Sequence, residues 1–152
     1  MSPDTRPRPR SRGQSLAEFA LVVPILFTLL GATLDFGRVY ETRVKLEAAT
    51  RDAAEYVATD VTVTSQALAL TRAKSVVCAQ FGQAATCTSP GVTIVSYSSS
   101  TTAPGATAQN PLVKVKVASS FTFQTFLPYP FLTTNGSTPL SSSAEYAILR
   151  GR

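Results

Sequence analysis

Few positions in this chain have the residue types or spacing for chemistry. Its 152 residues include no histidine and two cysteines, which removes the commonest general base and most transition-metal ligand sets. Serine and threonine are plentiful, but a nucleophilic hydroxyl needs a base beside it, and the usual base is missing. Enzyme activity, a metal site and a cofactor are therefore not expected. Two spacings remain. Glu18 is the sole acid between Asp4 and Asp35, inside an almost wholly apolar run, four residues after Gln14 and five after Gly13. A carboxylate in such surroundings is costly unless a cation or a hydrogen-bond donor meets it. Positions 14 and 18 share a helix face, so a contact within the chain is available. Cys78 and Cys87 enclose eight residues; a disulfide is the preferred reading, worth about 2 to 3 kcal/mol on the chain-entropy view, against a buried Cys78 with Cys87 loosely exposed.

The elements that must position these residues follow from the apolar pattern. Residues 1–12 hold Pro3, Pro7 and Pro9 among arginines and serines, a composition expected to be disordered. Arg6, Arg8, Arg10 and Arg12 all precede Gly13, so a chain without residues 1–13 would keep ten Lys/Arg against eight Asp/Glu. The pI near 9.6 thus reflects the leader, and a basic block beside an apolar run reads as a membrane-topology signal, not as a nucleic-acid surface. The nineteen residues from Leu16 to Leu34 would span about 28 Å as a helix, close to the roughly 30 Å of a bilayer's hydrocarbon. Pro24 lies inside and predicts a bend or local unwinding near residues 20–24. Phe36, Val39, Tyr40, Val44, Leu46, Ala49, Ala53, Ala54 and Val57 continue a broken stripe near period 3.6. One helix over residues 15–58 would be about 66 Å long, more than a small domain needs.

Beyond a break at residues 59–65, Ser65 reads as the N-cap of an amphipathic helix through Phe81 that Gly82 ends. Strands are expected at residues 92–100, 112–123 and 140–149, with a Pro/Gly-punctuated loop at 128–139. Lys114 and Lys116 share the wet face of the second strand, while Phe121 and Phe123 read as core. Tyr129 and Phe131 read as exposed loop residues open to a partner. The fold class is α+β: a long N-terminal helix, then a small head with a second helix and a three- to four-stranded antiparallel sheet. The expected division is 1–13 leader, 14–59 long helix with its span at 16–34, and 60–152 head.

The stretch Arg10-Ser11-Arg12-Gly13-Gln14-Ser15-Leu16-Ala17-Glu18-Phe19 resembles the prepilins of type IV pili. Further on, Glu18-Phe19-Ala20-Leu21-Val22-Val23-Pro24, Asp35-Phe36-Gly37-Arg38 and Leu46-Glu47-Ala48-Ala49-Thr50-Arg51-Asp52-Ala53-Ala54 are similar to the TadE-like family of the Tad (Flp) pilus system. Ala53 stands where glycine is often expected, and the head carries no matching motif. The resemblance implies a pilin-like fold and cleavage after Gly13 by a prepilin peptidase, leaving Gln14 as an N-terminus open to N-methylation. It implies assembly through Glu18, Phe19 and Pro24, with Glu18 meeting the α-amine of a neighbouring subunit. A carboxylate and an amine titrating near about 7.7 to 8.0 offset each other's desolvation. The implied partners are the peptidase, other Tad pilins or pseudopilins, the inner-membrane assembly platform and membrane lipid. The implied location is the bacterial inner membrane, single-pass, with the head extracytoplasmic and available to a cell-surface pilus for adherence.

Other readings stay open on sequence grounds. An ordinary secretory signal could be cut near Gly31-Ala32, although Leu30 suits that poorly and the helix pattern continues. A monomeric signal-anchored binding module would leave Glu18 incidental and recognise a ligand through the 128–139 loop. A secreted enzyme is the least supported, since no acid and base face each other in the pattern.

Overall fold

The structure is a computed structural model and describes residues 12–83, 87–125 and 137–150. The leader through Ser11, and Tyr129 and Phe131 with most of their loop, lie outside the described residues. Helix α1 runs unbroken from Arg12 to Thr59 over 48 residues, a length of about 72 Å. Residues 20–24 are α-helical, so the local unwinding expected at Pro24 does not occur. Proline removes one donor, which leaves the Ala20 carbonyl without its helical partner. Nearby hydroxyls turn inward: Thr28 Oγ1 donates to the Pro24 carbonyl at 2.8 Å and Thr33 Oγ1 to the Leu29 carbonyl at 2.9 Å. Both thereby hide their polarity against the helix itself.

After α1, Asp60 closes a tight turn by accepting from the Thr62 hydroxyl at 2.6 Å and the Thr62 amide at 2.9 Å. The Thr62 hydroxyl, then its amide and the charges of Arg72 and Arg150, hold the Asp60 carboxyl below its ordinary range. Helix α2 spans Gln66–Gln80, with Ser65 as N-cap; Ser65 Oγ accepts from the Leu68 amide at 3.3 Å. Gly82, at φ +66°, ends it. That left-handed conformation lets Gly82 N donate to the Ala79 carbonyl and Gln83 N to the Cys78 carbonyl, both at 2.9 Å, and glycine adopts it without steric cost. Cys78 and Cys87 are joined, with sulfurs 1.96 Å and Cα atoms 5.8 Å apart, which ties the end of α2 to the approach to the sheet.

Among the described residues the sheet has strands β1 (Gly91–Ser100), β2 (Leu112–Gln124) and β3 (Ser137–Leu149), antiparallel in the order β1-β2-β3. Period-2 alternation on β2 points Val113, Val115, Val117, Ser119 and Phe123 to the helices, all buried. Their Cα partners across the β2–β3 ladder are Ile148, Tyr146, Ala144, Ser142 and Thr138. Lys114 and Lys116 occupy the opposite face, across from Ala147 and Glu145. Strand β3 begins at Ser137, three residues before the hydropathy pattern places it. Pro139 lies inside β3 as the partner of Thr122, and an edge strand accommodates proline because one side of it has no ladder to supply.

The second half of α1 lies on this sheet. Ala49, Ala53, Ala54, Val57 and Ala58 pack with Ala69, Ala73 and Val77 of α2 and with Val92, Val113, Val115 and Val117. A second cluster joins Leu46 to Phe123 and Leu140, with Val39, Phe81 and Phe121 against it; the Phe81 and Phe121 rings stack at 5.5 Å. Phe121 and Phe123 are thus core, as their alternation predicts. Two contacts set the register of α1 on β2, and a third, from Arg150 just beyond β3, holds the last turn of α1. Arg38 lies 5.1 Å from the Phe123 ring centre. The buried Thr50 hydroxyl meets that of Ser119 while also donating to the Leu46 carbonyl at 2.6 Å. At the far end, Arg150 donates from Nε to the Ala58 carbonyl and from Nη2 to the Val57 carbonyl, each at 2.9 Å. The contacts ascend α1 as β2 descends, so helix and strand run antiparallel.

Candidate functional site

The first half of α1 is the candidate site, and its geometry is defined by what does not cover it. Phe19 is 65% exposed, Leu21 70%, Phe27 68% and Leu34 62%. One residue further, Asp35 is 3% exposed. Asp35 is thus the first buried residue of α1, while the next residue, Phe36, is still 73% exposed. Residues before Asp35 form a bare apolar rod, long and apolar enough to cross a membrane. From Asp35 onward one face is enclosed by the head.

Asp35 marks the seam. Its carboxylate lies 3.6 Å from the Arg38 guanidinium, one turn along on the same face, and Arg38 in turn covers the Phe123 ring. A buried acid is held here by a cation that is itself 58% exposed, which places fixed charge where the apolar rod ends. The sequence motif around Asp35 and Gly37 drew attention to this point; its role as the lower margin of the head did not follow from pattern alone.

Glu18 is exposed near the other end of the rod. Its Oε1 accepts from Gln14 Nε2 at 3.2 Å, the i, i+4 contact that their spacing allows. This is an uncharged donor, so the carboxylate's charge is left without a counter-ion among its described contacts. Phe19 and Pro24 are exposed as well, and Phe19, Val23, Leu26, Phe27 and Leu30 line one shallow apolar strip. Gly13 already lies in helix, and a Cβ placed on it would meet nothing within 4 Å. The structure thus brings Gln14 and Glu18 together, sets Phe19 and Pro24 on the same bare rod, and keeps the two cysteines far from it in the head.

Elsewhere the described residues offer little for chemistry. No group of three or more Cys, Asp or Glu side chains is placed to hold a metal among them. A cavity of about 230 Å³ lies beside Val63, Tyr97, Ser99, Pro111 and Arg150. Its polar atoms are largely spent on the fold: Tyr97 Oη donates to the Val63 carbonyl at 2.6 Å, and Arg150 Nη1 donates to the same carbonyl at 2.9 Å. Arg150 is the residue sequence reasoning missed most completely, since nothing in the spacing links it to residues 57, 58 and 63.

Residues 13–55 match the family of TadE-like proteins. The matched segment begins at the glycine before Gln14, contains the whole bare rod and ends within the part of α1 that the head encloses. No curated protein matches the chain, and no solved structure does. The apolar helix is compatible with a single-pass membrane anchor.

Proposed function

We propose that this TadE-like chain is a minor pilin or pseudopilin of a Tad-type pilus, made with residues 1–13 as a cytoplasmic leader that a prepilin peptidase removes after Gly13. The observation that carries the reading is the change at Asp35: an unbroken helix, enclosed by its own head on one side of that residue, is bare and apolar on the other. Such a rod has to be solvated by something apolar, first lipid and then the rods of other subunits. Glu18 supplies the selectivity between those two states. In lipid near the cytoplasmic interface it is tolerated; between packed rods it needs a cation. The freed α-amine of Gln14 on a neighbouring subunit is that cation, and pairing it with Glu18 sets the axial step between subunits.

The arginine block holds the leader on the cytoplasmic side, so the head lies outside the cytoplasm, where the Cys78–Cys87 bond suits an oxidising compartment. The partners are then the peptidase, other Tad pilins or pseudopilins and the inner-membrane platform, and the pilus serves surface adherence. A head of this size sets the subunit apart from Flp-type subunits that are little more than the helix, in keeping with a minor role.

Intact-mass analysis of the chain produced with a prepilin peptidase should show residues 1–13 missing. Glu18→Ala should still be cut and inserted but should be lost from sheared pili, with the head's melting unchanged. A product that keeps its arginines, or a Glu18→Ala chain recovered in pili at the normal level, would overturn the reading.

A further inference from the structure

We infer that Gln14, once it is the first residue, closes on itself: its α-amine attacks its own side-chain carboxamide to give a five-membered lactam, with Glu18 relaying the proton. This rests on the cleavage after Gly13 proposed above and concerns what becomes of the amine which that cut creates. The geometry that carries it is the contact between Gln14 Nε2 and Glu18 Oε1 at 3.2 Å. The carboxamide nitrogen is the group that must leave, and it already rests on a carboxylate able to accept and return a proton. Both side chains are exposed, so no packing opposes rotation about the glutamine's own bonds.

The step balances without any co-reactant. A bond forms between the α-nitrogen and Cδ, and the bond from Cδ to Nε2 breaks. The amine reacts in its neutral form, its ammonium having first given one proton to water; the α-nitrogen then surrenders a second proton to Glu18, which passes it to the departing nitrogen, and ammonia leaves. Having nucleophile and carbonyl in one residue removes the entropic cost of bringing them together. What remains is the proton transfer, where a positioned carboxylate is effective. Asparagine at the same place would have to form a four-membered ring and would not close.

The lactam nitrogen carries no positive charge. A closed subunit therefore offers Glu18 of its neighbour a neutral N–H in place of a cation, and ring closure competes with intersubunit pairing, and with N-methylation, for one amine. Cleavage thus exposes an N-terminus whose charge is lost with time unless it is engaged.

The test follows the full chain in phosphatidylethanolamine/phosphatidylglycerol vesicles, prepared in two ways. One preparation is cut by prepilin peptidase; the other is released from a fusion by a site-specific protease that leaves Gln14 first. The expected result for both is a mass lower by one ammonia, an N-terminus refractory to stepwise degradation, and its reopening by pyroglutamyl aminopeptidase. Glu18→Gln should slow the ammonia loss by about tenfold or more, and Gln14→Asn should show none. Persistence of the open Gln14 in the fusion-released chain, or equal rates with and without the Glu18 carboxylate, would overturn the inference. A leader that the peptidase never removes would instead count against the processing step, while the fusion-released chain still reports on ring closure.

Discussion

Arg150 reaches back 92 positions to donate to Ala58 and 87 to donate to Val63. The last turn of α1 contains no basic residue of its own, so this guanidinium supplies both the donors its final carbonyls lack and the positive charge that its dipole favours. The backbone of Arg150 is held in turn, its amide donating to the Pro111 carbonyl at 2.9 Å. Arg150→Ala should destabilise the head by about 2 to 4 kcal/mol, since charged hydrogen bonds are lost and carbonyls are left half-buried. Arg150→Lys should recover only part of this, because a single ammonium does not span three acceptors. Thermal unfolding of the two variants beside the parent chain checks the order. A sequence read by periodicity and local caps has no means of finding such a residue, because its partners are set by how strands fold back, not by distance along the chain. Gln14 and Glu18 were legible for the opposite reason: their contact is local.

At the scale of elements, α1 is two helices in one. Its first half displays large apolar side chains, and its second half presents alanines that let the backbone lie close to β2 and α2. Ala53 is fully buried within that face and leaves no room for growth. Ala53→Leu should cost about 1 to 3 kcal/mol through overpacking, whereas Ala48→Leu, on the exposed side, should stay within about 0.5 kcal/mol; melting curves of the pair decide it. The valine alternation of β2 made its buried face readable in advance, and Ser65 and Gly82 marked the limits of α2 through capping chemistry. The start of β3 was not readable. Serines, threonines and Pro139 look like a loop in isolation, and they become strand because β2 offers Phe121, Thr122 and Phe123 as partners for Leu140, Pro139 and Thr138. The local unwinding read from Pro24 fails in the same way, since proline's cost is real but falls short of what the flanking helix gains by continuing.

At the scale of the whole molecule, the part of α1 that the head encloses begins at Asp35. Residues of α1 from Leu46 to Ala58 belong to the core of the head, so the rod and the head share one helix and have no linker between them. A chain starting at Asp35 should therefore be soluble without detergent and melt within about 3 °C of the full chain, because what it lacks makes no core contact. A chain starting at Thr50 should be far weaker, having given up Leu46, whose loss alone corresponds to about 2 to 5 kcal/mol. Differential scanning calorimetry of the two truncations separates these outcomes, and equal stability would refute the division.

In the assembly proposed above, a subunit held by its rod would carry tension along that rod. Because α1 lies lengthwise and antiparallel on β2, held at Phe123 and Ser119 and, beyond β3, by Arg150, a pull on the rod strains the grip from end to end in shear. No single contact stands at the front to be unzipped first. The globule should hold fast under axial load and yield all at once.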